Sequence, residues 1–476
     1  MKLKLHLLLA LCLFTVSFAQ NKEDVGTSFD FNYRFEQNPQ IVLADNYNHH
    51  LLSVINTDGM TATRQMIVRK FDQKNQLLDT YTYDFPKFDI GTLYNYLGYT
   101  ETNNGKVVVF TKTYSGRAKK SEIVKHEFDK ATAKFTSTAI DSNPIQSLGK
   151  SGDVSLQKSN NGNYIGIVYT KDREKKQPEK SLIMVLDNNT QNVVWKKDIE
   201  IANEHTTKYF TVTNSGKVVL LRDNASFKKA NNYNYLVVVS PEGEEDKNFE
   251  TSIFIQEPVA VSIGTQDYLL AVNSTTRGKS QENFTHLLFY DLQQGKTLQN
   301  HKLSEFSVIK NIKDVSFRNI FLQNNEIHIF AEAKVEAGVK PSAGFSASQF
   351  PETDYTYGPA YLYIMSFEGA LKSTNKIATL STQADISRSF GLLNVKGNYY
   401  VNTGFMASPN SGTYSSLFAL SAATNYDLSK RMLTMSHSSA YTYQLTYYFP
   451  DSSKLLTARM VDNNKMTLIT VSDVKL

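Results

Sequence analysis

Seven times along this chain an apolar strand runs into a short turn and returns as a more polar strand, and an eighth apolar strand reaches its turn at Asp473. The segments "MIVRKFDQKNQLLDTYTY" (Met66–Tyr83), "IVKHEFDKATAKFTSTAI" (Ile123–Ile140), "IMVLDNNTQNVVWKKDI" (Ile183–Ile199) and "LLFYDLQQGKTLQNHKL" (Leu287–Leu303) show it most plainly. Asp72, Asp129, Asp187, Gly243, Asp291, Glu368, Thr424 and Asp473 mark the turns, mostly about 50 to 60 residues apart, a period that signals a repeat architecture. The step from Asp291 to Glu368 is 77 residues and holds an insertion. Ahead of each turn lies a further pair of strands, such as Lys106–Tyr114, Tyr164–Thr170 and Lys217–Asp223. Helical periodicity is never sustained over about 11 residues, so no helix of normal length is expected.

Four strands per unit and eight units predict an all-β chain: an eight-bladed β-propeller of four-stranded antiparallel blades, with seven blades as the alternative. One such blade cannot bury its two faces alone, whereas stacking between neighbours covers both. The final unit offers only three strands, Gln444–Phe449, Lys454–Met460 and Lys465–Asp473. A spare strand stands at the front. In "FDFNYRF" (Phe29–Phe35) four aromatics alternate with Asp30, Asn32 and Arg34, the period of a strand with one apolar face. It is expected to complete the last blade and close the ring, removing an exposed strand edge. A loosely attached outer strand is the other reading.

The repeat resembles the β-propeller superfamily over essentially the whole chain after residue 19, most closely secreted bacterial eight-bladed members. It departs from the named repeat types. The Gly-His and Trp-Asp pairs of WD repeats are absent. A single tryptophan, Trp195, excludes both the sialidase Asp-box and the tryptophan docking of quinoprotein dehydrogenases. The resemblance therefore implies a fold and no activity.

Lys2 and Lys4, the apolar run Leu7–Val16 and the small residues Ser17 and Ala19 read as a secretory signal, residues 1–19, cleaved before Gln20. An uncleaved anchor would need about 20 apolar residues. A lipoprotein signal at Cys12 lacks the small residue before the cysteine. Cleavage removes Cys12, the only cysteine, and with it disulfide and cysteine–zinc chemistry. Residues 20–476 then form one exported domain, periplasmic or extracellular, with no transmembrane segment. The charge of +5 includes Lys2 and Lys4; so small an excess does not call for nucleic acid.

Catalytic motifs are absent. Gly344-Phe345-Ser346-Ala347-Ser348 lacks the last glycine of a nucleophile elbow. Gly278-Lys279-Ser280 lacks the first glycine of a phosphate loop and the helix that must follow. His49 and His50 would point to opposite faces of a strand and could not share a metal. The stretch from Asp58 has no calcium-loop spacing of acids. Carboxylate pairs for glycoside chemistry are defined in space and cannot be read from spacing. No cofactor or metal is expected.

Two regional features point to binding. Basic residues recur between the second and third strands of successive blades: Arg117, Lys119 and Lys120; Lys171, Arg173, Lys175 and Lys176; Lys228 and Lys229; Arg277 and Lys279. These connections share one face, where they would form a positive rim for an anionic glycan or an acidic protein of the envelope. Interspersed Asp172, Glu174 and Glu179 allow the plainer reading of a solubilising surface. The blade-six insertion, Ala337–Pro359, is too long for a plain turn, and its Tyr355 and Tyr357 could stack on a sugar or clamp a peptide. Packing of the insertion on its own blade is the alternative. The expected function is a non-catalytic exported scaffold, with a carbohydrate-active lyase or glycosidase as runner-up.

Overall fold

The computed structural model describes residues 23–472 apart from 33–34, 46, 57–61, 87–91, 172–177, 202–204, 225–234, 249–253, 275–285, 310–311, 337–354, 379–389, 409–411, 428–431, 437–440, 450 and 463. Residues 1–19, where a secretory signal is expected, lie outside the described residues.

The strands form consecutive antiparallel meanders. Blades 3 to 7 are separate four-stranded sheets, beginning at Asp153–Lys158, His205–Val212, Phe254–Ile263, Ile312–Gln323 and Phe390–Val395. Blades 1 and 2, beginning at Glu36–Val42 and Leu93–Glu101, are two such meanders joined by a single bridge, Thr63 to Tyr94. Blade 8 contributes Tyr441–Phe449, Lys454–Asp462 and Lys465–Val471. Among the described residues, buried apolar side chains gather into eight clusters, each spanning one pair of neighbouring blades, and blade 8 meets blade 1 through the last of them. The ring is therefore closed, with eight blades.

This packing explains the residue pattern. Second and third strands have a neighbouring blade on both faces, so Lys106–Ser115 and Glu179–Asp187 are buried almost throughout. Fourth strands form the rim and alternate with water, as in Leu77–Asp84. Gly166, inside the otherwise bulky strand Tyr164–Thr170, is where blade 4 presses in: a Cβ there would stand 2.4 Å from Val212 Cγ2.

Two kinds of repeated turn finish one end of the ring, the turn end. Between third and fourth strands an aspartate caps its own turn. Asp72 Oδ1 accepts the N–H groups of Lys74 and Gln76, and Asp291 Oδ1 those of Gln293 and Gln294, each at 2.8 Å. Between first and second strands, Thr102-Asn-Asn-Gly105, Ser159-Asn-Asn-Gly162 and Thr213-Asn-Ser-Gly216 repeat one geometry. The leading hydroxyl accepts the N–H that starts the next strand, and the glycine sits at a φ of 78°, 74° or 79°. The opposite end, the loop end, carries the connections between second and third strands and between blades.

The ring closes at the front of the chain, as expected, but with a shifted register. The closing strand is Glu23–Val25 followed by Phe29–Asp30, upstream of the predicted Phe29–Phe35. It runs antiparallel to Lys465–Val471, with Gly26 N–H donating to Leu468 O at 2.9 Å and Phe31 N–H to Asn464 O at 2.8 Å. Phe29 and Phe31 are buried in the blade 8–blade 1 core while Asp30 and Asn32 face water, so the alternation was read correctly. The register moved because the chain turns at Asn32, whose carbonyl accepts from Phe35 and Glu36, and then starts blade 1.

Side chains lock this seam. Arg459 Nη2 meets Glu23 Oε2 at 3.0 Å, and Thr467 Oγ1 donates to Gly26 O at 2.8 Å. From blade 1, Asn75 Nδ2 donates to Thr470 Oγ1 at 2.9 Å. Arg69, buried, donates to Asp30 O at 3.1 Å and pairs with buried Glu36, which also accepts from Ser53. Its guanidinium lies 5.5 Å from the centre of the Phe29 ring. Gly26 allows the approach of blade 1, since a Cβ there would stand 2.5 Å from the Asn75 carbonyl oxygen. Gly26→Ala is therefore expected to push the closing strand off blade 1. Thermal denaturation should show a clear fall in Tm, and an unaltered Tm would show that this approach is not tight.

Candidate functional site

The first strands line the channel, and most of them carry a β-bulge. Their registers shift between Gln37 and Gln40, Tyr96 and Gly98, Thr207 and Tyr209, Gln256 and Val259, Phe317 and Asn319, and Tyr441 and Thr446. A bulge breaks strict alternation and re-aims a side chain. In blade 6 the extra residue is Arg318, and the stretch Phe317–Phe321 borders one cavity, while Ile320 packs into the core shared with blade 5 and Phe321 against Phe330 and Tyr399 toward blade 7.

That cavity has a volume of about 260 Å³ and lies toward the turn end. Lys158, Ser159 and Asn160 supply its wall from blade 3, Thr211 from blade 4, Val259 and Ala260 from blade 5, and Phe317–Phe321 from blade 6. Exposed Asn160, in the turn of blade 3, opens it to solvent. Thr211 Oγ1 accepts the Ala260 N–H at 2.9 Å, holding blades 4 and 5 together at the wall. The Arg318 Nε donates to the carboxylate of Glu332, which is wholly buried behind it.

Lys158 sits differently. Its ammonium lies 4.9 Å from the centre of the Tyr99 ring, and Tyr99 OH donates to Gln40 Oε1 at 3.0 Å. Glu101, on the same strand as Tyr99, accepts the Leu43 N–H at 2.7 Å. Lys158 and Glu101 both reach water yet are ringed by protein. Loss of hydration pushes the Glu101 carboxyl up, opposed by the Leu43 N–H and by Lys158. Loss of hydration likewise holds the Lys158 ammonium down, opposed by Glu101.

At the loop end, blade 2 and Lys171 of blade 3 make up the described part of the expected basic rim, and Lys171 Nζ pairs with Asp198 Oδ1 at 2.8 Å. Lys119 takes a left-handed φ of 47° in the turn after Lys106–Ser115, beside Arg117. Lys120 Nζ pairs with Glu122 Oε1 at 2.8 Å, and Lys112 turns inward to Ser151 Oγ at 2.9 Å. Arg173, Lys175, Lys176, Lys228, Lys229, Arg277 and Lys279 lie outside the described residues. Tyr355 and Tyr357 are not loop residues as expected. They open the third strand of blade 6, Tyr355–Ser366, with Tyr355 opposite Glu336 and Tyr357 opposite Lys334, so the last five residues of the expected insertion 337–359 belong to a strand.

The two histidines of the first blade are core residues. His49 stacks on Phe71 at 5.6 Å between centroids, and His50 lies 6.2 Å from Phe128. Among the described residues no group of three histidine, cysteine or acidic side chains could hold a metal, and no helix is long and apolar enough to cross a membrane.

No protein-family model matches the chain, and no curated protein sequence matches it. Solved structures do resemble it. The β-propeller domain of the Trilobed protease from Pyrococcus furiosus, described as an open velcro topology, aligns with 12% identity over 81% of this chain and 92% of its own, at a TM-score of 0.40. The Dos1 propeller aligns with 10% identity over 94% and 95%, at a TM-score of 0.46. The acylaminoacyl peptidase of Pyrococcus horikoshii aligns with 9% identity over 90% of this chain but 58% of its own, at 0.39. Strand order and the closed set of blade interfaces, on their own, make this chain a β-propeller.

Proposed function

We propose that the chain is an exported, non-catalytic β-propeller whose loop end binds a protein or glycan of the cell envelope. The observation that carries this reading is the unlike build of its two ends. At the turn end the blades finish in short capped turns stitched to one another: Asn161 N–H donates to Asn214 Oδ1 at 2.9 Å, and Asn214 N–H to Ser262 Oγ at 3.3 Å. At the loop end the described strands lie further apart in sequence: 10 residues separate Asn224 from Tyr235, 11 separate Ser274 from His286 and 18 separate Glu336 from Tyr355. Long loops on a rigid scaffold are where recognition is usually built.

The carboxylates described beside the channel favour binding over hydrolysis. Glycoside cleavage needs two carboxyl groups about 5–10 Å apart and free to exchange protons. Glu36 is committed to Arg69 and Ser53, Glu332 to Arg318, and Glu101 to the Leu43 N–H.

The test compares cross-linked capture from the native envelope by the full protein and by a variant in which a short Gly-Ser link replaces 337–354. One partner recovered by the first and lost by the second supports the reading. Equal recovery by both removes the loop end from the function, and turnover of an envelope glycan by the full protein would favour the lyase or glycosidase alternative.

A further inference from the structure

We propose that the cavity at the turn end of the channel is a binding site for a single carboxylate-bearing sugar ring, a uronate. This goes beyond the partner reading, since it concerns the opposite end of the ring.

The walls define the ligand. Two of the lining residues, Lys158 and Arg318, are basic and none is acidic; Glu332 stands behind Arg318, outside the lining. A cavity with cations on its wall and carboxylates a layer behind attracts an oxyanion. Lys158 is the less committed of the two: it reaches water, whereas Arg318 already holds Glu332. Among the described residues its ammonium makes no hydrogen bond and no ion pair; its near neighbour is the face of Tyr99. A carboxylate set between Lys158 and Arg318 would give the ammonium an acceptor through charge-assisted hydrogen bonds.

The remaining wall fits a sugar better than a bare anion. Asn160 and Asn319 bring amide groups that can both donate and accept, as vicinal ring hydroxyls require, and the Thr211 hydroxyl, which accepts the Ala260 N–H, can still donate; the Ser159 hydroxyl is taken up by its own turn. Phe317, half-buried against the core between blades 5 and 6, gives the lining an apolar edge for ring C–H groups. The volume of about 260 Å³ lies just under the roughly 300–1,000 Å³ of drug-sized pockets, so the site suits one ring and not an oligosaccharide.

Isothermal titration of the full protein with glucuronate, glucose, acetate and inorganic phosphate tests this. Glucuronate should bind, and the other three should bind at least about tenfold more weakly, the difference expected when one charge-assisted contact is lost. Lys158→Met keeps the stem and removes the charge; it should weaken glucuronate about tenfold or more. Asn160→Ala, in an exposed turn, should weaken it too and leave the melting curve in place. Glucose binding as tightly as glucuronate would overturn the role of Lys158. Acetate or phosphate matching glucuronate would reduce the site to an adventitious anion hole, and no heat with glucuronate would remove it. Replacing 337–354 should leave this binding intact, so failure here and failure of the partner reading are separate results.

Discussion

A chain that begins at residue 32 should melt far below the intact protein and aggregate as it does so. The segment it lacks contributes two phenylalanines, Phe29 and Phe31, to the core between blades 8 and 1, where they are 5% and 2% exposed. Removing one buried phenylalanine side chain typically costs about 3–5 kcal/mol. Two approach the whole stability of an ordinary domain, about 5–15 kcal/mol. The loss does not stop there. Lys465–Val471, buried along nearly its whole length, would become a bare sheet edge, a template for pairing with another molecule. Arg69 would keep Glu36 but lose the Asp30 carbonyl and the Phe29 ring. Calorimetry and light scattering read both effects. A synthetic peptide of residues 20–34 added in trans should recover part of the stability. An unchanged melting curve for the shortened chain would mean that the seam does not hold the ring.

Acid should weaken the fold well before its carboxylates are protonated. His49, His50 and His126 are buried, and desolvation holds the first two down to about 4 and His126 to about 3. In the unfolded chain each titrates near 6.5. Above that value both states are neutral and the contribution to stability is intact. As the pH falls from 6.5 toward 4 the unfolded chain takes up protons that the folded chain refuses. Each histidine then removes up to about 1.4 kcal/mol per pH unit. Glu101 acts in the opposite sense, because a carboxyl raised in the folded state gains stability on protonation, but it is one group against three. Urea denaturation at steps between pH 7.5 and 4.5 should show this decline. His126→Gln should flatten the slope while retaining hydrogen-bond partners for Thr111 and Ser137. A stability independent of pH over that range would mean the three rings are hydrated.

The architecture was legible because each blade repeats its chemistry. Asp72, Asp129, Asp187 and Asp291 occupy equivalent turns for one reason, the capping of two backbone N–H groups, and that reason leaves a period in the sequence. The spare strand was visible from the alternation of Phe29, Asp30, Phe31 and Asn32. Its register was not, since the turn at Asn32 depends on backbone bonds that leave no mark in the side-chain pattern. The cavity was missed for a related cause. "SFRNIFLQ" reads as plain alternation spoiled by noise, whereas a bulge at Arg318 shifts the register between Phe317 and Asn319 and brings Arg318 to the wall of the cavity. One signal did point there: the Ser/Thr-Asn-x-Gly turns at Thr102, Ser159 and Thr213 mark the end of the channel where Lys158 and Asn160 stand.

The closing seam also sets the order of events when the chain folds. Glu23 and Arg459 are 436 residues apart in sequence and in contact in space. Contacts so distant make folding slow, since loop entropy must be given up before they return anything. Blades 3 to 7 can each form from consecutive residues as soon as those emerge. The last blade cannot, because its fourth strand is the first to be synthesised. Throughout translation, Phe29 and Phe31 must wait without a partner, and the ring remains a C-shaped intermediate with two adhesive ends until Lys465–Val471 arrives. For such a chain the dangerous interval is the one before closure, when the exposed edge of one molecule can accept the front strand of another.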